Sequence, residues 1–248
     1  MTSISSILSA AVCFNLLALS ALAAENYSLW PRRPAELEQA RRLVREQKGA
    51  EAAHLLQPFI HDSGIAGREA RQITGAVNVQ RYLSRRHPDA RVYTVKSGDN
   101  VFKIAAAEKC PFELIMLLNG IVEPAGLRVG QKLVLVPMNC RLEIHVSLCE
   151  LCVWDGETLV ADYNVTAVPP TLKAGEETRL AACEGYMEGT RVPRRSSQIA
   201  SSDRVLVLEN GLRLTGGQQP SDEALQMQQR DLNELALLLS ADSTVIMK

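Results

Sequence analysis

The chain has few aromatic residues and almost no net charge, and each shortage excludes a class of function. Aromatic residues make up 4% of the 248 residues, so a stacking surface for single-stranded nucleic acid is not expected. Lysine and arginine number 27 against 28 aspartates and glutamates, a formal charge of -1, which gives no general attraction to nucleic acid or to an anionic membrane. We therefore expect no nucleic-acid partner, and any binding must come from a local site.

The amino terminus is an apolar segment that predicts export. Residues 7–22 form an uncharged, mostly apolar run that ends in Ala21-Leu-Ala23, the small-x-small pattern at which signal peptidase cleaves. We expect residues 1–24 to be a signal peptide, the mature protein to be periplasmic or cell-wall associated, and no stable membrane span to follow cleavage. No lysine or arginine precedes the run, and about 20 apolar residues can span a bilayer, so an uncleaved anchor is the alternative.

Residues 25–91 are predicted to form helical hairpins. Apolar residues recur at helical spacing in three segments, residues 34–48, 50–60 and 66–85, and Pro34 with the carboxylates after it suits a first helical turn. We interpret this region as a small helical spacer or docking platform that can bind a protein partner. A single tetratricopeptide-like unit is the alternative, although no 34-residue period repeats.

Residues 92–137 carry the most specific pattern in the sequence. A short strand is followed by the turn Lys96-Ser-Gly-Asp99, a first helix, a second helix that stops at Asn119-Gly120, and a closing strand. This βααβ module resembles a LysM domain over its whole length, in Tyr93 to Asp99, Ile104-Ala105, Leu117 to Asn119 and Leu127 to Leu133.

The LysM resemblance implies binding of glycans that contain N-acetylglucosamine, and hence peptidoglycan glycan strands as the partner. The shallow groove would lie between the loop after the first strand and the loop before the last. Retention of the module only as a packing unit is the alternative. The residues implied to line the groove are Gly98, Asp99, Asn100, Val101, Asn119, Gly120, Ile121 and Val122.

Residues 139–248 alternate like β-strands early and include one late helix, predicted over residues 222–239. The opening hairpin, with Leu151 to Gly156, and the segment from Leu212 to Met247 resemble the catalytic domain of L,D-transpeptidases. That family uses a cysteine in a Ser-x-Gly-Cys-x-Arg motif and a histidine in a His-Gly motif. In this chain the histidine, cysteine and arginine positions hold Thr215, Ala224 and Gln226, with Ser221 a helix N-cap.

The resemblance therefore implies a degenerate domain without catalytic residues. No cysteine or histidine follows Cys183, so a shift in the alignment cannot restore the pair. An active enzyme with a displaced nucleophile such as Cys183 is the main alternative. A redox pair at Cys149 and Cys152, and a zinc site formed by these two with Cys183 and His145, have weak support, and we expect no metal and no cofactor.

Five cysteines follow the signal peptide, so an oxidising compartment favours disulfides. In a βααβ module the end of the first helix and the exit of the last strand meet at one end. This topology predicts a disulfide between Cys110 and Cys140. The sequence as a whole predicts an α+β multidomain protein with N-terminal helical hairpins, a βααβ LysM module and a mostly-β L,D-transpeptidase-like domain.

Overall fold

The computed structural model of the chain describes residues 34–216, 224–241 and 243–248. The predicted signal peptide and Ser221 lie outside these residues. The described residues combine N-terminal helices, a small βααβ module and a large sheet, so the predicted fold class is confirmed. None of the helices among them is long and apolar enough to cross a membrane.

The N-terminal region is helical, as predicted. The first helix begins directly after Pro34, with Glu36 and Glu38 in its first turn, where unpaired backbone donors favour carboxylates. Leu37, Leu56 and Ala70 form the small core between the helices. The elements are α1 (Ala35–Arg45), α2 (Gly49–Leu56), a 3-10 turn (Gln57–Phe59) and α3 (Ile65–Tyr82).

The central module has the predicted order of strand, two helices and strand. Its two strands pair antiparallel, with Thr94 opposite Lys132. The Asn100 side chain caps the first helix, and Gly120 ends the second in the left-handed region at φ +61°. The elements are β1 (Arg91–Thr94), α4 (Val101–Glu108), α5 (Phe112–Asn119) and β2 (Lys132–Leu135).

The rest of the described chain is built around a nine-stranded sheet. The strands are β3 (Cys140–His145), β4 (Glu150–Asp155), β5 (Thr158–Ala167), β6 (Glu177–Met187), β7 (Thr190–Val192), β8 (Asp203–Leu208), β9 (Arg213–Thr215), β10 (Ala224–Met227) and β11 (Thr244–Met247); helix α6 (Gln229–Leu235) precedes the last strand. Their order in the sheet is β11-β3-β4-β5-β10-β9-β8-β6-β7. Strand β11 pairs with both β3 and β6, so the sheet closes on itself.

The predicted late helix was wrong at its start. Residues 224–227 form strand β10 and only Gln229–Leu235 are α-helical, so Ala224 does not lie in a first helical turn. The reason is tertiary: β10 lies between β5 and β9, which satisfy its backbone, and all four of its residues are buried. A short run buried on both faces has no periodicity that separates strand from helix.

The helical region packs directly on the sheet. Gly75 of α3 lies so close to β5 that an added Cβ would be 2.6 Å from the Asp162 backbone nitrogen. The buried Arg71 guanidinium donates to Glu150 Oε2 at 2.5 Å, and Asn78 donates to the Leu159 carbonyl at 2.6 Å. Helix α3 is therefore docked on the nine-stranded sheet through paired buried groups. We call this part of the chain, from β3 to β11, the β domain.

The central module also shares its core with the sheet. Ile115 and Leu133 of the module belong to the same hydrophobic cluster as Leu142 and Leu206 of the sheet, and Val79 of α3 joins them. The apolar interior is thus continuous across the three predicted segments.

The predicted disulfide is not formed. Cys110 and Cys140 are both buried free thiols. The two segments do meet as the topology requires, because the Met138 amide donates to the Lys109 carbonyl. Cys140, however, is held in β3 opposite Asp155, whereas the Cys110 thiol points to the carbonyl of Pro111. The meeting of two segments did not determine the directions of their side chains.

Candidate functional site

The loop after β1 is held by its own polar side chains. Asp99 Oδ2 accepts hydrogen bonds from the Lys96 amide at 2.7 Å and from the Tyr93 hydroxyl at 2.8 Å. The backbone hydrogen bond from Lys96, followed by that from Tyr93, lowers the pKa of Asp99 below its usual value. Asn100 Oδ1 accepts from the Lys103 amide at 3.0 Å as the cap of α4. Both side chains therefore act first as loop supports.

The loop after α5 depends on Asn119 in the same way. The Asn119 amide group donates to the carbonyls of Ile115 and Val134, both at 2.8 Å, and its oxygen accepts from the Val134 amide at 2.8 Å. These bonds fix the end of α5 against β2. Gly120 then turns the chain, Ile121 is half-buried and Val122 is 66% exposed.

The segment after β1 and the segment before β2 lie at the same end of the β1–β2 strand pair. The Val95 amide donates to the Gln131 carbonyl, and the Gly130 amide donates to the Val95 carbonyl, so the two segments border each other. Of the eight residues from the sequence, Val101 is fully buried and Ile121 is half-buried against the main hydrophobic core. The exposed part of the candidate groove is the backbone of Gly98 and Gly120 and the side chain of Val122.

Sequence reasoning did not select Val129. Its side chain is 72% exposed in the segment that borders the loop after β1, and it belongs to the same connection between α5 and β2 as the exposed Val122. Short apolar side chains next to exposed backbone polar groups suit a sugar, which presents hydroxyl and N-acetyl groups at its edge and carbon–hydrogen bonds on its face. The signal for Val129 was its position immediately before the turn glycine Gly130.

The three positions that the sequence resemblance assigns to the L,D-transpeptidase motifs lie on neighbouring strands. Thr215 of β9 is the register partner of Gln226 of β10, and Ala224 is the partner of Arg213. Gln226 is 3% exposed and Ala224 is 6% exposed. This place presents a hydroxyl, an amide and a methyl group, which offer no nucleophile paired with a base.

Two thiols of the sheet, Cys152 and Cys183, lie in surroundings that disfavour the thiolate. Burial, followed by the neighbouring Glu113 carboxylate, raises the pKa of the Cys183 thiol far above its usual value. Burial and Asp162 do the same to Cys152, whose sulfur lies 3.4 Å from the Asp162 carboxylate. Thiolates are the reactive form of cysteine, so these environments oppose reactivity.

Three of the four histidines are engaged with other groups, and His54 is exposed. The His61 ring stacks on Trp154, His87 packs against Tyr82, and His145 lies 3.7 Å from Glu143. Within the part of the chain that the structure describes, no hydrogen bond or ring contact joins a histidine to a sulfur. No group of three or more potential metal-binding side chains is found among these residues either.

Comparison with known proteins identifies the central module. Residues 93–136 match the family model of the LysM domain. The chain contains a LysM domain. Its matched range begins at Tyr93 in β1 and ends at Val136, one residue after β2, so it spans the module that carries both loops.

Solved L,D-transpeptidase structures are similar to part of the chain. Those from Enterococcus faecium and Xylanimonas cellulosilytica are each 11% identical with a TM-score of 0.33, and cover 44% and 46% of this chain. One from Mycobacterium tuberculosis is 7% identical with a TM-score of 0.33 and covers 48%. The chain spans 50%, 64% and 66% of those three chains. No curated protein matches the sequence.

Proposed function

We propose that this protein is exported and binds the N-acetylglucosamine-containing glycan strands of peptidoglycan through its LysM domain. The observation that carries the proposal is the pair of loops at one end of the β1–β2 strand pair. The side chains of Asp99 and Asn119 bond within the fold, and the loops expose backbone together with the apolar side chains of Val122 and Val129. The apolar run at residues 7–22 supports export.

Sedimentation with purified, protein-free peptidoglycan sacculi tests this proposal. We expect the chain without residues 1–24 to pellet with sacculi at low salt, and Val122→Ser to pellet less. The loss of one apolar contact of about 1 kcal/mol lowers affinity about 5-fold. Retention of the wild-type chain in the supernatant at every sacculus concentration would refute glycan binding.

Val92→Ser is the matched control. Val92 is 65% exposed, against 66% for Val122, and it lies in β1 opposite Val134 rather than in either loop. The two substitutions remove the same group from equally exposed positions of one domain. Equal losses of pelleting would show that the loops are not the binding surface.

We further propose that the β domain is not a transpeptidase. The support is chemical: Ala224 has no nucleophilic group, Thr215 has no imidazole, and the half-buried Cys183 thiol has its pKa raised. The alternative enzyme with Cys183 as the nucleophile requires a thiolate next to a base. Among the described residues no hydrogen bond or ring contact joins Cys183 to a histidine, and the nearby Glu113 carboxylate disfavours the thiolate.

Incubation with a carbapenem, followed by mass spectrometry of the intact protein, tests catalytic silence. We expect the mass to stay unchanged, and peptidoglycan tetrapeptides to give no new cross-links and no tripeptides. An acyl adduct mapped to Cys183 would establish the enzymatic alternative.

Binding of a protein partner by the N-terminal helices stays a prediction, and a pull-down that compares the full chain with one lacking α1 and α2 addresses it.

A further inference from the structure

A segment of the β domain reaches the LysM domain beside the proposed glycan groove. Arg194, two residues after β7, places its guanidinium 5.2 Å from the ring centre of Phe102 and 4.6 Å from that of Phe112. Cations are attracted to the faces of aromatic rings, and Arg is the cation most often found there. The segment is therefore held against α4 and α5 by a specific contact.

Beside this contact lies an open pocket of about 460 Å³ between the two domains, which we call the cationic shelf. Three of its side chains are cationic, namely Lys103, Arg194 and Arg195, and all three residues are exposed. Among the described residues, no carboxylate lies within 4.0 Å of these three cations. The lining residues are Asn100, Phe102, Lys103, Ala106, Arg194 and Arg195.

The cationic shelf adjoins the groove through shared residues. Asn100 lines the shelf and also ends the loop after β1. Lys103 Nζ donates to the Gly98 carbonyl at 3.0 Å, so one of the cations is attached to that loop. Asp99, the only carboxylate of the loop, attracts Lys103, and Glu113 attracts Arg194, but neither forms an ion pair within 4.0 Å. Three cations therefore leave net positive charge beside a ligand in the groove.

We propose that the cationic shelf binds a carboxylate carried by the glycan, so that this protein prefers N-acetylglucosamine-containing glycan with carboxylate-bearing substituents over neutral glycan. The inference rests on the proposed function, because the glycan backbone must occupy the groove for its substituent to reach the shelf. Arg and Lys bind carboxylates by charge-assisted hydrogen bonds, and Arg can donate two in parallel. The β domain, through Arg194 and Arg195, would then contribute specificity to the LysM domain.

The test uses the full mature chain and two soluble probes of equal glycan length. One is a neutral N-acetylglucosamine hexamer, and the other is a peptidoglycan glycan fragment whose peptide stems keep their free carboxylates. The shelf variant is Arg195→Gln, which leaves the Arg194 ring contact and the bond from Lys103 to Gly98 in place. The control is Arg85→Gln, which removes the same charge from an exposed residue after α3.

We expect the shelf variant to bind the carboxylate-bearing fragment about 3- to 5-fold more weakly, on the order of 1 kcal/mol for one partly screened ion pair, and the hexamer unchanged. The control variant should bind both probes like the wild type. The wild type should also lose its preference when the carboxylates of the fragment are amidated.

The outcomes separate this inference from the proposed function. If the wild type binds both probes but the shelf variant loses nothing on the carboxylate-bearing fragment, or loses equally on both, the shelf does not read the carboxylate and glycan binding stands. If the wild type binds neither probe, the proposed function fails and the inference fails with it.

Discussion

Single residues of the LysM loops divide into those that hold the loops and those that face outward. Asn119 makes three hydrogen bonds at 2.8 Å to the end of α5 and to β2, whereas Val122 makes no comparable bond and is 66% exposed. The two loop roles can therefore be separated by mutation. A residue that holds a loop changes stability, and one that faces outward changes affinity.

Asn119→Ala is expected to lower the free energy of unfolding by about 2 kcal/mol. It leaves the amide and carbonyl of Val134 without their partner, and unsatisfied half-buried groups cost about 1–3 kcal/mol. Urea unfolding followed by circular dichroism measures the change. Val122→Ala should cost much less stability and more glycan affinity. A stable Asn119→Ala protein with weakened binding would reverse these roles.

Glu113 predicts a dependence of stability on pH. It is 5% exposed between the LysM domain and the sheet, and one of its oxygens has no hydrogen-bond partner in the described chain. Burial raises the pKa of Glu113 from 4.5 to about 7, against the opposing effect of Arg204. The folded protein therefore retains a proton that the unfolded chain releases, and this contribution to stability is lost as the pH rises from about 4.5 through 7.

Glu113→Gln should remove that loss. We expect the variant to gain up to about 3 kcal/mol of unfolding free energy relative to the wild type above pH 7, and less at pH 5. Burial raises the pKa of Asp162 to about 7 as well, so only the difference between variant and wild type isolates Glu113. Urea unfolding at pH 5, 6, 7 and 8 gives that difference. A constant difference across this range would contradict the account.

At the scale of elements, the docking of α3 on β5 decides whether the substitution Gly75→Ala stabilises or destabilises the protein. In an undocked helix, Gly75→Ala stabilises by about 1 kcal/mol because alanine has the higher helix propensity. In this structure the added Cβ would lie 2.6 Å from the Asp162 nitrogen and 3.0 Å from the Ala161 carbonyl carbon. We therefore expect a loss of about 1–3 kcal/mol from overpacking. Thermal unfolding measures it, and a stabilised variant would show that α3 is not docked.

The elements also show what sequence reasoning could reach. Capping residues, turn glycines and period-two alternation predicted the three N-terminal helices, the βααβ module and the hairpin turned by Gly156. These patterns were not used to predict β6, although the buried residues Thr178 and Leu180 alternate with exposed neighbours there. They could not give β10, because its short buried run acquires its identity from β5 and β9.

The site was predictable only as a pair of loops. The LysM pattern indicated residues 98–101 and 119–122, but it could not show that the side chains of Asp99 and Asn119 form their hydrogen bonds within the fold. It also could not show Arg194 beside Phe102, since that contact joins residues far apart in sequence. Local patterns specify local turns, and the surroundings of a loop depend on packing between domains.

For the whole molecule, the shared core predicts one cooperative unfolding transition. Val79 of α3, Ile115 and Leu133 of the LysM domain and Leu206 of the sheet belong to one buried cluster. Loss of any part exposes apolar surface of the others, so the parts should unfold together. Far-ultraviolet circular dichroism and tryptophan fluorescence should give coincident urea curves, and the isolated LysM domain should be less stable than the full chain. Two resolved transitions would contradict a shared core.

The most direct test of glycan binding by the LysM loops is nuclear magnetic resonance of the full, isotope-labelled mature chain titrated with an N-acetylglucosamine hexamer. We expect saturable shifts in the backbone amides of Gly98, Gly120, Val122 and Val129, with Val92 unchanged as the exposed residue outside the loops. Shifts confined to the β domain, or none at millimolar ligand, would contradict the account.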